Sequence, residues 1–121
     1  MKTPLYRSFK YAFQGFWKAL KTERNLKIHT AAALAAVGLG IYLRLCAVEW
    51  GLVVLAIGLV FSAELFNTAL ERVCDAAGGG KLSETIKNCK DIAAAAVIVA
   101  AIAALAIGIF ILIVPFFQRV F

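Results

Sequence analysis

Charge is scarce in this chain of 121 residues: 17% of its side chains are Asp, Glu, Lys or Arg, against roughly 25% in soluble globular domains. The scarcity is uneven. From Ile92 to Val114 there is no charged or strongly polar residue, a run of 23, and about 20 apolar residues suffice to cross a bilayer as a helix. A soluble single-domain enzyme is excluded. So is a disordered tail, since 63% of the residues are hydrophobic and disorder requires low hydrophobicity. Cysteine is sparse as well. Cys46, Cys74 and Cys89 are odd in number and lack C-x-x-C spacing, so neither a zinc site nor a disulfide framework is expected, and they read as small buried residues. No short apolar core follows the first Lys, as it would in a cleaved signal peptide.

The charge that is present is lopsided, with 13 Lys and Arg against 7 Asp and Glu. Lys2, Arg7, Lys10, Lys18, Lys21, Arg24 and Lys27 crowd the N-terminus against Glu23 alone. Beside apolar spans, such a cluster reads as contact with anionic lipid head groups and as a topology signal, and no nucleic-acid partner is expected. The segment around 72–90 holds four more basic residues (Arg72, Lys81, Lys87, Lys90), while the connection near 44–49 has only Arg44 and the C-terminal tail only Arg119. The N-terminus and the second loop are therefore expected in the cytoplasm, with the first loop and the C-terminus outside.

Hydrophobic periodicity divides the chain into four helical segments of one membrane domain, with no internal repeat. Over residues 5 to about 27, Tyr6, Phe9, Phe13, Phe16, Trp17 and Leu20 fall near one face, with Lys10, Gln14, Lys18 and Lys21 over the rest. This predicts an amphipathic helix lying in the membrane interface. Spans are expected over about 28–46, 50–73 and 91–117, with Trp50 as an interfacial aromatic and Pro115 marking the end of the third. The fold class is thus an all-α membrane protein, one surface helix plus three transmembrane helices.

The second span carries the chemistry. Glu64, Asn67, Thr68, Glu71 and Asp75 fall within about 100° of one helix face. Glu71 and Asp75 are one turn apart, where two carboxylates repel, so the face calls for a counter-charge, most simply a cation. Glu64 follows the apolar run Trp50–Ala63, which sets it below the head groups at a cost of about 2.5–3.5 kcal/mol near the bilayer centre and less toward the edge. An acid held there is expected to serve as a general base or proton carrier. The plainer alternative is an acid paired with a neighbouring lysine that merely holds helices together. Lys87, Lys90 and Asp91 share one side of the third span's cytoplasmic end, and Ala94 leaves space one turn deeper. Carboxylates such as Glu23, Glu71 and Asp75 suit Mg²⁺, which takes a few carboxylates plus water and phosphates, and Lys90 suits a phosphate. His29, where the first span begins, reads as a head-group contact.

Other phosphate signatures are missing. Gly78-Gly79-Gly80-Lys81 has neither the spacing nor the following Ser or Thr of a Walker A loop, and reads as a flexible link. The polar stripe alone also permits a proton- or cation-conducting subunit using Glu64, with Glu71 and Asp75 as its mouth. The other spans, however, offer no ionisable relay outward. A non-catalytic membrane scaffold is a third reading.

Taken together, Glu64-x-x-Asn67-Thr68-Ala-x-Glu71-x-x-x-Asp75 and Lys90-Asp91-x-Ala-Ala-Ala-Ala-Val97 resemble the signature of the small bacterial integral-membrane diacylglycerol kinases. The resemblance extends to Glu23-Arg24-Asn25-x-x-Ile28-His29 and Ala12-x-x-Gly15, and so to nearly the whole chain. The former version is most similar to the branch that phosphorylates undecaprenol as well as, or instead of, diacylglycerol. The resemblance implies a homotrimer in the bacterial inner membrane, with ATP and Mg²⁺ as cofactors, a membrane lipid alcohol as substrate, and active sites shared between neighbours. It implies Glu64 as proton acceptor for the lipid hydroxyl and Glu23 and Glu71 as holders of Mg²⁺ with ATP. Asn67, Asp75, Lys90, Asp91 and Tyr11 match nucleotide-side positions, and Ala94 a position near the lipid. The loop Gly78–Asn88 departs from the pattern, lacking the His and Ala residues often seen before the Lys-Asp pair.

Overall fold

A computed structural model describes residues 4–79 and 83–121. Gly80 and Lys81 of the glycine-rich link, and Lys2 of the basic cluster, lie outside the described residues. Among the described residues five α-helices follow one another: α1 (Leu5–Thr22), α2 (Arg24–Leu43), α3 (Ala47–Gly78), α4 (Glu84–Gly108) and α5 (Val114–Val120), with a single π-helical turn (Ile109–Ile113) between the last two. No strand occurs among the described residues. Among the described residues three helical stretches are long and apolar enough to cross a membrane: Arg24–Leu43, Ala47–Gly78 and Glu84–Val120.

Helix α1 ends sooner than its periodicity suggests. Glu23 is extended (φ −101°, ψ 117°), so it closes α1 and opens α2, and residues 24–27 belong to the first span. No Pro or Gly causes this break. It is fixed from outside, where Arg72 of α3 donates to Thr22 Oγ1 at 2.9 Å and contacts Glu23 Oε1 at 3.4 Å. Before the break, α1 meets α3 through the stacked Phe16–Phe61 pair, and Ala19 is buried. Tyr6, Phe9, Phe13 and Trp17 remain exposed.

The turn from α2 to α3 is tight. Arg44 takes the left-handed conformation (φ 55°, ψ 57°), and Arg44 N–H and Leu45 N–H reach back to the carbonyls of Ile41 and Gly40, a Schellman cap built without glycine. Gly40 is needed for another reason: a Cβ there would stand 2.8 Å from Trp50 Cη2. Glu49 accepts from Cys46 N–H at 2.9 Å and starts α3. At the far end Gly79 (φ 57°) caps it.

The third span does not stop at Pro115. Proline lacks an N–H and crowds the carbonyl four residues back, and the π turn ahead of it absorbs that mismatch. The helix therefore runs on to Val120. Arg119 donates to the Tyr42 carbonyl at 3.0 Å and lies over the Tyr42 ring, which brings the C-terminus to the α2–α3 turn. The small core sits at this end, with Val53, Ile111 and Leu112 buried against Leu39, Leu43 and Trp50. Helices α3 and α4 share the most extensive contact in the bundle, with Ala100 buried, as expected where small residues let backbones approach. Of the cysteines only Cys74 is buried, whereas Cys46 and Cys89 are exposed at a turn and on an outer helix face. The expectation of three buried cysteines is corrected on that point.

Candidate active site

Helix α3 has 32 residues, about 48 Å at 1.5 Å per residue, and overshoots a hydrocarbon core of about 30 Å. Counted from Trp50, Glu64 lies about 21 Å along the axis and Asp75 about 38 Å. The polar face thus begins inside the apolar layer and ends beyond it. Burial follows the same gradient. Glu64 (3% exposed) and Thr68 (6%) are the only buried polar residues among those described, Asn67 and Glu71 are half-buried, and Asp75 is exposed.

Each acid of the face has a different partner. Glu64 Oε1 lies 3.1 Å from His29 Nε2 on α2. Asp75 Oδ1 accepts from Lys90 Nζ of α4 at 2.6 Å. Glu71 Oε1 accepts only from Asn67 Nδ2, at 3.3 Å, and has no cationic partner among the described residues. Glu23, tied to Arg72 at the α1–α2 break, is held beside this end of α3. Direct ion pairing on this face is therefore confined to Asp75 with Lys90; Glu64 has the His29 imidazole as its hydrogen-bond partner, and Glu71 has Asn67 and a longer-range attraction to Lys90.

No three His, Cys, Asp or Glu side chains converge as a metal cluster among the described residues. A nucleotide-bound Mg²⁺ needs fewer, since phosphates and water complete its shell. Asn67 Oδ1 is buried with no hydrogen-bond partner, one turn from Glu71, which has no partner within ion-pair distance among the described residues. A carbonyl and a carboxylate oxygen so placed fit a hard cation.

Two apolar recesses flank the face. A cavity of about 470 Å³ descends between α2, α3 and α4, and His29 is its one polar lining residue. A smaller one, of about 420 Å³, opens between α3 and α4 beside Asn67, lined by Phe66, Leu70, Ala93 and Ala96.

The profile described as prokaryotic diacylglycerol kinase matches residues 10–112. The chain belongs to the prokaryotic diacylglycerol kinase family. It is similar to the undecaprenol kinase of Bacillus subtilis (strain 168), with 41% identity over 106 residues that cover 88% of this chain and 85% of the relative. It is also similar to a diacylglycerol kinase of Synechocystis sp. (strain ATCC 27184 / PCC 6803 / Kazusa), 43% identical over 101 residues, or 84% of this chain and 58% of that longer protein. As a prokaryotic diacylglycerol kinase family member with three apolar helices, the protein is a membrane lipid kinase, and a nucleotide phosphoryl donor follows from that class.

Other matched positions of this family member are arranged less closely. Asp91 turns to Lys87 Nζ at 2.8 Å rather than to the Asp75–Lys90 pair. Tyr11 is exposed on α1 and makes no side-chain hydrogen bond among the described residues. Ala94 lies on an exposed face of α4, while Ala93 and Ala96 line the recess beside Asn67. Two residues have roles that the sequence pattern does not indicate. His29 is not a free head-group contact but the partner of Glu64, and the available signal was an intramembrane acid that required one. Arg72, which sets the Glu23 break, had no signal beyond its position next to Glu71.

Proposed function

We propose that this chain transfers the γ-phosphoryl group of ATP, with Mg²⁺, to the hydroxyl of a membrane lipid alcohol. Undecaprenol would give undecaprenyl phosphate, and diacylglycerol would give phosphatidic acid. Undecaprenol is favoured by the Glu23-Arg24-Asn25-x-x-Ile28-His29 pattern, and both relatives' names accord with the pair. The observation that carries this reading is the gradient along α3. A carboxylate is buried below the head groups, within reach of a lipid hydroxyl at the interface, and the same face leads without a break to groups in water, where ATP resides.

The roles follow from position. Glu64 takes the hydroxyl proton as the lipid oxygen attacks the γ-phosphorus. Glu71 and Glu23 would hold Mg²⁺ with ATP, Asn67 Oδ1 being available beside Glu71; the ion, when bound, offsets phosphate charge. Lys90, held by Asp75, meets phosphate as a point charge. Asp91 and Tyr11 serve the nucleotide side and Ala94 the lipid side.

Residues 1–121 act as one kinase domain in a homotrimer. A single chain leaves Leu34, Val54, Val73 and Ile98 exposed along its spans. Neighbouring chains covering part of that surface would also close the acidic face of α3. In this reading α1 lies on the cytoplasmic surface of the inner membrane with the active site, and the C-terminus is outside. The test is transfer from γ-labelled ATP and Mg²⁺ to undecaprenol and to diacylglycerol in mixed micelles. Label in either lipid supports the reading, and the ratio of kcat/KM values names the substrate. Absence of label from both, with the trimer intact, overturns it.

A further inference from the structure

Glu64 continues the buried face of its own span, where Val60 and Ala56 are buried at one-turn steps before it. No Lys or Arg reaches it within ion-pair distance among the described residues; its one polar contact is His29, whose side chain is 26% exposed against 4% for Glu64. An acid that is to take a proton must be ionised and can then only accept, so in that state the ring nitrogen is the donor and Nε2 carries the hydrogen. Oε1 is thereby committed to His29, while Oε2 makes no hydrogen bond among the described residues. His29 stands on the first turns of α2, beside Leu26, which is 1% exposed, and Thr30, whose Oγ1 bonds back to the Leu26 carbonyl at 2.8 Å. Its other side borders the apolar cavity between the spans.

We infer that His29 is a positioning residue for the base. Its Nε2–H anchors one oxygen of Glu64 so that the other faces the lipid hydroxyl, and it supplies the one hydrogen bond that a buried carboxylate requires. The inference rests on Glu64 being the proton acceptor. Its prediction is a split between kinetic constants. The nucleotide groups Asp75 and Lys90 lie beyond the buried segment and have their own contacts, so losing the anchor should lower kcat and leave the KM for ATP unchanged.

The experiment compares His29→Leu with His29→Gln in mixed micelles. Gln can return an N–H donor near the Nε2 position, and Leu cannot. His29→Leu is expected to lower kcat about 10- to 100-fold, the effect of a lost hydrogen bond to a charged group and a misplaced base. His29→Gln should recover most of that loss, with the KM for ATP constant in both. A kcat for His29→Leu equal to wild type overturns the inference. So does an equal fall in both variants, because ring shape or folding rather than the donor would then matter. Glu64→Gln, run beside them, separates the two levels. If it keeps full turnover, the base assignment itself is wrong; if it is inactive while His29→Leu is not, only the positioning role is lost.

Discussion

Replacing Glu64 by Gln distinguishes a catalytic carboxylate from one that merely joins helices, because the two roles move activity and stability differently. Glu64 is 3% exposed, and its Oε1 is bonded by His29 alone. An ionised side chain at hydrocarbon depth costs about 2.5–3.5 kcal/mol near the bilayer centre and less toward its edge. A hydrogen bond to a charged group offsets about 1.5–3 kcal/mol. These terms nearly cancel. Gln keeps the side-chain length and an oxygen that can accept from His29, so folding should change by no more than about 1 kcal/mol, with removal of the buried charge favouring stability. Turnover should fall about 10²- to 10⁴-fold, the range for a lost general base. Label transfer into micellar lipid at saturating ATP measures the first quantity, and thermal unfolding in the same micelles the second. Full turnover in a folded variant would refute the base. Lost turnover together with a loss of about 3 kcal/mol or more would instead mean that the acid holds α2 to α3, as breaking a buried polar pair does.

Further tests address the scaffold. Gly40→Ala would drive a Cβ to 2.8 Å from Trp50 Cη2 and 3.0 Å from Leu45 Cδ1; a loss of about 1–3 kcal/mol in thermal unfolding is expected, with kcat unchanged because this contact lies at the opposite end of the bundle from Glu64. Arg44→Gly should raise stability by about 1 kcal/mol, since Arg44 holds φ 55° where glycine carries no Cβ penalty. Arg72→Met removes the bond to Thr22 and frees Glu23. The exposed ion pair adds little, so the KM for ATP should rise about threefold to tenfold, the worth of one hydrogen bond. An unchanged KM would show that the break does not serve the nucleotide.

Much of the molecule is legible in its residues because helix geometry is local. The 3.6-residue repeat alone aligns Glu64, Thr68, Glu71 and Asp75, and the apolar runs alone set the number of spans. Element ends are harder. Helix α3 runs to Gly78 and the third span passes Pro115, although composition changes earlier in both places. Helices outlast the hydrocarbon layer whenever their backbone bonds remain satisfied, and a π turn can absorb a proline. The break at Glu23 left no trace in the sequence, because neither a Pro nor a Gly makes it.

The sequence by itself thus determined an all-α membrane chain with one acidic face on its second span, since periodicity and hydropathy act between neighbours along the backbone. Only the tertiary structure decided how that face is divided. His29 meets Glu64 across 35 residues, Lys90 meets Asp75 across 15, and Arg72 meets Thr22 across 50. Such partners are chosen by how whole helices pack, and no local pattern encodes that choice. Glu71 differs for the same reason: the packing of α2 and α4 brings His29 to Glu64 and Lys90 to Asp75, and leaves Glu71 with Asn67 of its own helix and a longer-range attraction to Lys90.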